Sequence, residues 1–255
     1  MKKRLIRLLL LILVLAMIAI GVWGVAFLRQ GDSHSIGSSF LSEVRRYRVY
    51  LPAGYNPSVK YPIVYSLDGE KWRHGAIFAA NGRMLARLGL ASDVIIVAID
   101  SEGHRTRDFS PVRGAEAFTN FLRRELIPAI EREYSASRTR IISGHSYGGL
   151  YSLYALAEHP GLFSHHFALT PSVFHSEQII DRLDAHLKCG NARASLYLFS
   201  GLELREDYGN GVDRLEVILR NSTAPGLVWR DAYFALPHSL SMLAGQLGAL
   251  TTLAN

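Results

Sequence analysis

Gly144-His145-Ser146-Tyr147-Gly148 is the stretch of this sequence best equipped to do chemistry. It fits G-x-S-x-G, a sharp strand-to-helix turn that lifts a serine oxygen clear of a sheet at the positive end of the next helix. The glycines have a steric reason, because so tight a turn brings backbones too close for a Cβ. The β-branched run TRIIS before the motif and the small, apolar run LYSLYALA after it supply the strand and the helix. Without that context the three fixed positions would read equally well as a glycine-rich packing turn.

A serine hydroxyl is a poor nucleophile until a base takes its proton, and around this motif the partners follow in the order serine, acid, histidine. Of ten histidines, His159, His165, His166, His175 and His186 precede any loop able to supply the acid, and His238 is the only one beyond residue 186. His238 sits between a predicted strand and the last predicted helix, where a base is needed. Three acids, Glu203, Glu206 and Asp207, follow the strand-like SLYLFS. Glu203, nearest the strand end, ranks first and Asp207 next. A Ser146–His238 dyad, its imidazole oriented by water or a carbonyl, stays open. An acyl-transfer site also needs two backbone donors aimed at the developing oxyanion. Tyr147, directly after the serine, is one candidate. Gly69, in the Asp68-Gly69-Glu70 break, is the other, unless that break is a plain turn.

The elements that must hold these residues alternate. Val44–Leu51, Tyr61–Leu67, Asp93–Ile99, Thr139–Ser143, Phe167–Thr170, Ser195–Ser200 and Val228–Phe234 read as strands. Ala76–Leu88, Glu116–Tyr134 (with a kink expected at Pro128), the segment after Ser146, Ser176–Leu187, Val212–Arg220 and Ser239–Leu253 carry helical spacing. Strands alternating with helices predict an α/β fold, a mostly parallel sheet covered on both faces, with ligands at the carboxyl ends of the strands. No insertion is long enough for a separate cap domain.

Leu8–Leu28 is 21 residues without a charge, about 31 Å as a helix against a hydrocarbon core of about 30 Å. Lys2, Lys3, Arg4 and Arg7 outweigh Arg29 beyond it, so residues 1–30 are expected to be an uncleaved signal-anchor, with residues 31–43 as linker and 44–255 as the catalytic domain. That predicts a single-pass inner-membrane protein with its domain on the periplasmic side. Five of the 28 Lys and Arg precede the first acid, Asp32, leaving 23 against 22 acids. A domain so close to neutral gives no reason to expect nucleic acid. One cysteine, Cys189, excludes an intramolecular disulfide and is expected to pack as a small apolar residue.

Several stretches together resemble the putative-esterase (esterase D-like) family of α/β-hydrolases, especially its enterochelin and salmochelin esterase branch. They are YRVYLPAGYN, YPIVYSLDGEKW, DVIIVAID with Arg105-Thr-Arg-Asp108-Phe-Ser-Pro111 after it, FLRRELIPAIEREY, GHSYGG, LTPSVF, and His238 before the last helix. The resemblance covers roughly residues 44 to 253. It implies the α/β-hydrolase fold, Ser146 as nucleophile, His238 as base, Gly69 and Tyr147 as oxyanion donors, and Arg105 at the acyl or alcohol site. A guanidinium there would hold an anionic or catecholate group, unless Arg105 only pairs with Asp108 to fix its loop. The expected activity is hydrolysis of a small-molecule carboxylic ester, with a siderophore-type (catecholate) trilactone as the first candidate, and with no metal and no cofactor. Acyl transfer to an alcohol on the same scaffold, and a non-catalytic tethered binding domain, are the alternatives.

Overall fold

The computed structural model describes residues 31–70, 74–190, 192–201 and 209–254, without the side chains of Asn210, His238 and Ser239. Eight strands form one sheet: β1 (Asp32–Ser38), β2 (Glu43–Tyr50), β3 (Tyr61–Ser66), β4 (Ile95–Ile99), β5 (Ala136–His145), β6 (His165–Leu169), β7 (Arg193–Ser200) and β8 (Gly226–Tyr233). Their order is β1-β2-β4-β3-β5-β6-β7-β8. β1 and β2 run antiparallel to their neighbours, and every pairing from β4 to β8 is parallel.

The strand sequences explain their places. All five residues of β4, IIVAI, are buried, as a central strand covered on both faces requires. In β2 the exposed Arg46 and Arg48 alternate with the buried Tyr47 and Val49. Helices α1 (His74–Arg87), α5 (Tyr147–Glu158), α6 (Gln178–Lys188), α7 (Gly209–Asn221) and α8 (His238–Thr251) connect or follow the strands. Between β4 and β5 lie a four-residue α2 (Arg105–Asp108), then α3 (Ala115–Phe121) and α4 (Ile127–Glu133). One apolar core joins α3, α4, α5, α6 and α7 to one face of the sheet. A second joins α1 and α8 to the other.

Four expectations are corrected. Residues 31–43 are not a linker: β1 pairs along its whole length with β2, Asp32 opposite Val49 and Ser38 opposite Glu43. Its Gly/Ser composition hides a period of two in which His34, Ile36 and Ser38 turn inward. The helix expected over Glu116–Tyr134 is not one regular α-helix, and its irregularity precedes Pro128. Residues Leu122–Leu126 form a π-helical turn, the Ile127 N–H reaching back to the Leu122 carbonyl, and α4 restarts with proline in its first turn. Proline has no N–H to give the carbonyl four residues back, and the wider turn stands directly before it. Cys189 is exposed at the end of α6 rather than packed. The inner-membrane, periplasm-facing placement is also withdrawn. Among the described residues no helix is long and apolar enough to cross a membrane, and the proposed anchor, residues 1–30, lies outside them.

Candidate active site

Backbone strain gathers at one end of the sheet. Among the described residues four that are not glycine have positive φ, and three of them follow the carboxyl ends of adjacent strands: Asp68 (57°) after β3, Ser146 (60°) after β5 and Thr170 (45°) after β6. Such conformations cost about 1–3 kcal/mol each and persist only where the surroundings impose them. For the β-branched threonine the position is a genuine outlier.

Ser146 stands at the turn from β5 into α5 with φ 60° and ψ −115°. Its N–H donates to the Leu169 carbonyl at 2.9 Å, and its carbonyl accepts from Ser172 and Leu150. The steric demand on its neighbours is uneven. A Cβ on Gly144 would run into the Gly148 backbone, and one on Gly149 would come within 2.9 Å of the Leu169 carbonyl oxygen and Pro171 Cα. A Cβ on Gly148 would make only ordinary contact, 3.5 Å from Leu67. Tyr147 opens α5, so its N–H belongs to the first turn, where no intrahelical acceptor exists. The half-buried Ser146 hydroxyl lies 3.0 Å from the hydroxyl of Ser172.

Beside the turn, Asp68 is 1% exposed and its carboxylate is fully engaged. Arg105 Nε donates to both oxygens at 2.8 and 2.7 Å, and the Ser101 hydroxyl donates to one of them. The same guanidinium donates from Nη2 to the His145 carbonyl at 2.9 Å and lies 5.4 Å from the centre of the Tyr147 ring. Arg105 therefore ties the β3 loop to the serine turn. Its partner is Asp68, not Asp108. Asp108 is fully buried and bonds Arg45 and Arg107 instead. The other side of Tyr147's surroundings is aromatic: the His175 ring stacks on it with centroids 4.4 Å apart.

Gly69 is placed differently from its predicted role. Its N–H donates to the Ile99 carbonyl at 2.8 Å, so that donor is committed to β4. A Cβ there would lie 2.7 Å from the Ala98 carbonyl carbon, so the glycine lets the loop lie against β4. Glu70 follows, its carboxylate held by the Ser101 N–H at 2.9 Å.

α8 begins at His238, and its first turn is fastened to the same end of the sheet. Ser241, fully buried, accepts from the Thr170 hydroxyl at 3.0 Å and lies 3.4 Å from His145 Nε2. A Cβ on Gly201, just after β7, would approach Ser241 Cβ to 2.9 Å, so a glycine there lets α8 start against the end of β7. The His238 side chain and residues 202–208, which include Glu203, Glu206 and Asp207, lie outside the described residues. On the Arg105 side an open groove of about 910 Å³ is bordered by Glu70, Glu102, Arg105, Arg107 and Arg113.

Four of these residues, Ser101, Thr170, Ser172 and Ser241, escaped sequence reasoning. Hydroxyl residues in loops are common, and nothing local distinguishes one that serves a site from one that caps a turn. Asp68 is legible in the sequence as part of a turn, but its burial is not.

Comparison with known proteins gives a consistent picture. The profile of the family described as putative esterase matches residues 38–219. The ferri-bacillibactin esterase BesA of Bacillus subtilis is 30% identical over 174 residues, 57% of this chain and 60% of that protein. The siderophore triacetylfusarinine C esterase of Aspergillus fumigatus is 32% identical over 132 residues, 44% of each chain. The chain thus spans about half the length of these curated relatives. Among solved structures, an IroE-like serine hydrolase from Shewanella oneidensis superposes with a TM-score of 0.77 at 26% identity, covering 88% of this chain and 80% of that one.

Proposed function

This chain belongs to the putative esterase family, and from that premise we propose that it is a serine esterase acting on a small-molecule ester of siderophore type. The observation that carries the reading is the backbone of Ser146. A serine held at φ 60° between a buried strand and a helix start, by neighbours that tolerate no Cβ at Gly144 or Gly149, is costly to keep without a use.

In the proposed reaction His238 takes the proton of Ser146 as Oγ attacks the ester carbonyl carbon. The carbonyl π electrons move onto oxygen, and the Tyr147 N–H donates to that oxyanion. Because Gly69 is bonded to Ile99, the second donor passes to the next N–H in the loop, that of Glu70. Collapse breaks the ester C–O bond, and the proton held by His238 goes to the departing alcohol. Water then repeats the sequence on the acyl-serine, releasing acid and free Ser146. An acid from the loop after β7, Glu203 first, orients His238. Arg105 braces the site through Asp68 and the His145 carbonyl, and it faces the groove with Arg107 and Arg113. The groove is open, which suits a bulky ester, and the names of the relatives favour a siderophore substrate.

The test is labelling by a fluorophosphonate probe together with turnover of p-nitrophenyl butyrate. Wild type should label at Ser146 and turn over; Ser146→Ala should fold normally and do neither. Turnover retained by Ser146→Ala removes the serine from the chemistry. A screen of cyclic siderophore lactones against short acyl esters then tests the substrate class, which fails if the lactones are left intact.

A further inference from the structure

Ser172 occupies the residue before the short 3-10 turn Val173–His175, a position where serine ordinarily turns its hydroxyl onto the free N–H groups of the turn. Here it makes no such bond. Its hydroxyl lies 3.0 Å from Ser146 Oγ, and its N–H donates to the Ser146 carbonyl at 3.1 Å. Ser172 is 3% exposed, so its hydroxyl has little access to water as an alternative partner. The backbone bond fixes the distance between the two serines, and the hydroxyl contact is therefore built into the turn.

We propose that Ser172 is a further catalytic residue, a hydrogen-bond donor to the nucleophile oxygen itself. The inference rests on the esterase reading, in which His238 removes the Ser146 proton. With both hydroxyls protonated, either can donate. Once Ser146 Oγ has given up its proton, only the Ser172 O–H can supply a hydrogen to the pair, so the direction is forced in the charged state. Negative charge gathers on Oγ twice, when it attacks and when it leaves during hydrolysis of the acyl-serine. A donor buried beside it favours both transition states more than the ground state. Ser172 thus serves the entering and leaving oxygen, whereas the Tyr147 N–H serves the carbonyl oxygen.

Hydrogen bonds to charged groups contribute about 1.5–3 kcal/mol, so Ser172→Ala should lower kcat for p-nitrophenyl butyrate by about ten- to a hundredfold. KM, the melting temperature and the stoichiometry of fluorophosphonate labelling should be unchanged, while the rate of labelling falls with kcat. The pH dependence of kcat/KM should keep its midpoint, since the titrating group is His238. Ser172→Thr, which keeps the hydroxyl, should recover most of the rate. Ser172→Cys, which keeps the volume but is a weak donor, should stay slow and decides the matter if the alanine variant does not fold. A wild-type kcat in the alanine or cysteine variant overturns the proposal. So does a fall in kcat matched by lost labelling stoichiometry or a lowered melting temperature, because that marks a packing role. Failure of wild type to label at all is a different result, and it sinks the esterase reading beneath.

Discussion

Arg105 does two jobs with one planar group. Its Nε satisfies the Asp68 carboxylate and its Nη2 holds the His145 carbonyl, so the residue before the nucleophile and the loop beside the proposed oxyanion site share one brace. Lysine has a single compact ammonium and cannot span both acceptors. Arg105→Lys should therefore keep most of the stability, because a cation still faces Asp68, yet lose at least tenfold in kcat. Arg105→Ala leaves Asp68 buried with only the Ser101 hydroxyl. That should cost about 2–3 kcal/mol in urea denaturation, at or below the low end of the range for a broken buried pair because Arg105 keeps some contact with water. Equal kcat in the lysine variant and wild type would show that the brace is dispensable for turnover. Sequence spacing pointed to Asp108, three residues away. The true partner is 37 residues distant, and Asp108 is turned into the core against Arg45. Ser146 is legible because its whole motif is contiguous; Arg105's partner is not, because which of two buried carboxylates a guanidinium meets depends on how distant segments come together.

The serine turn as an element makes a sharper demand than its motif states. The pentapeptide ends at Gly148, but the glycine that joins Gly144 in having no room for a side chain is Gly149, which faces the Leu169 carbonyl and Pro171. Both are backbone or ring atoms that cannot rotate away. Gly149→Ala should thus cost about 1–3 kcal/mol by overpacking and displace the loop that carries Ser172. Gly148→Ala meets Leu67 at ordinary contact distance within a helix, where alanine is the better helix former, and should stay within about 1 kcal/mol of wild type. Denaturant midpoints of the two variants check this, and equal losses would refute the uneven packing. The order of strands and helices from β2 to α8 was readable because buried β-branched runs and 3.6-residue spacing are local signals. β1 was not readable, since an edge strand of Gly, Ser and His is held by bonds to β2 rather than by its own composition. The start of α8 was predicted within a residue, but its fastening through Ser241 to Thr170 depends on three distant segments meeting.

At the scale of the whole molecule, the cost of covering both faces of the sheet falls on the histidines of β6. His166 is 1% exposed, with Nδ1 3.0 Å from the Ser152 carbonyl of α5, and burial pushes its pKa down to about 4. Burial likewise lowers His165 beside it, and His159 at the end of α5. His166 is therefore neutral in the folded chain at neutral pH, and its imidazole takes up a proton near 6.5 once unfolded. Its contribution is intact above about pH 6.5 and is lost as pH falls from there toward 4, and His165 and His159 act in the same direction. Glu125 and Glu43 act in a lower window. Burial opposes their ionisation but is outweighed, for Glu125 by bonds from Ser38 and Ser39 and for Glu43 by the Arg107 bond and the Arg45 charge, so their stabilisation fades only below about 4.5. Unfolding free energy should thus already decline between pH 7 and 5, before these carboxylates protonate. At about 1.4 kcal/mol per pH unit, His166 alone should account for about 2 kcal/mol of that decline. His166→Gln keeps a donor for the Ser152 carbonyl and cannot take a charge. It should start less stable at pH 7.5, through imperfect packing against Phe163, but lose about 2 kcal/mol less than wild type on acidification to pH 5. Parallel stability curves for the two proteins over that interval would mean that the buried imidazole is not what makes the fold acid-sensitive.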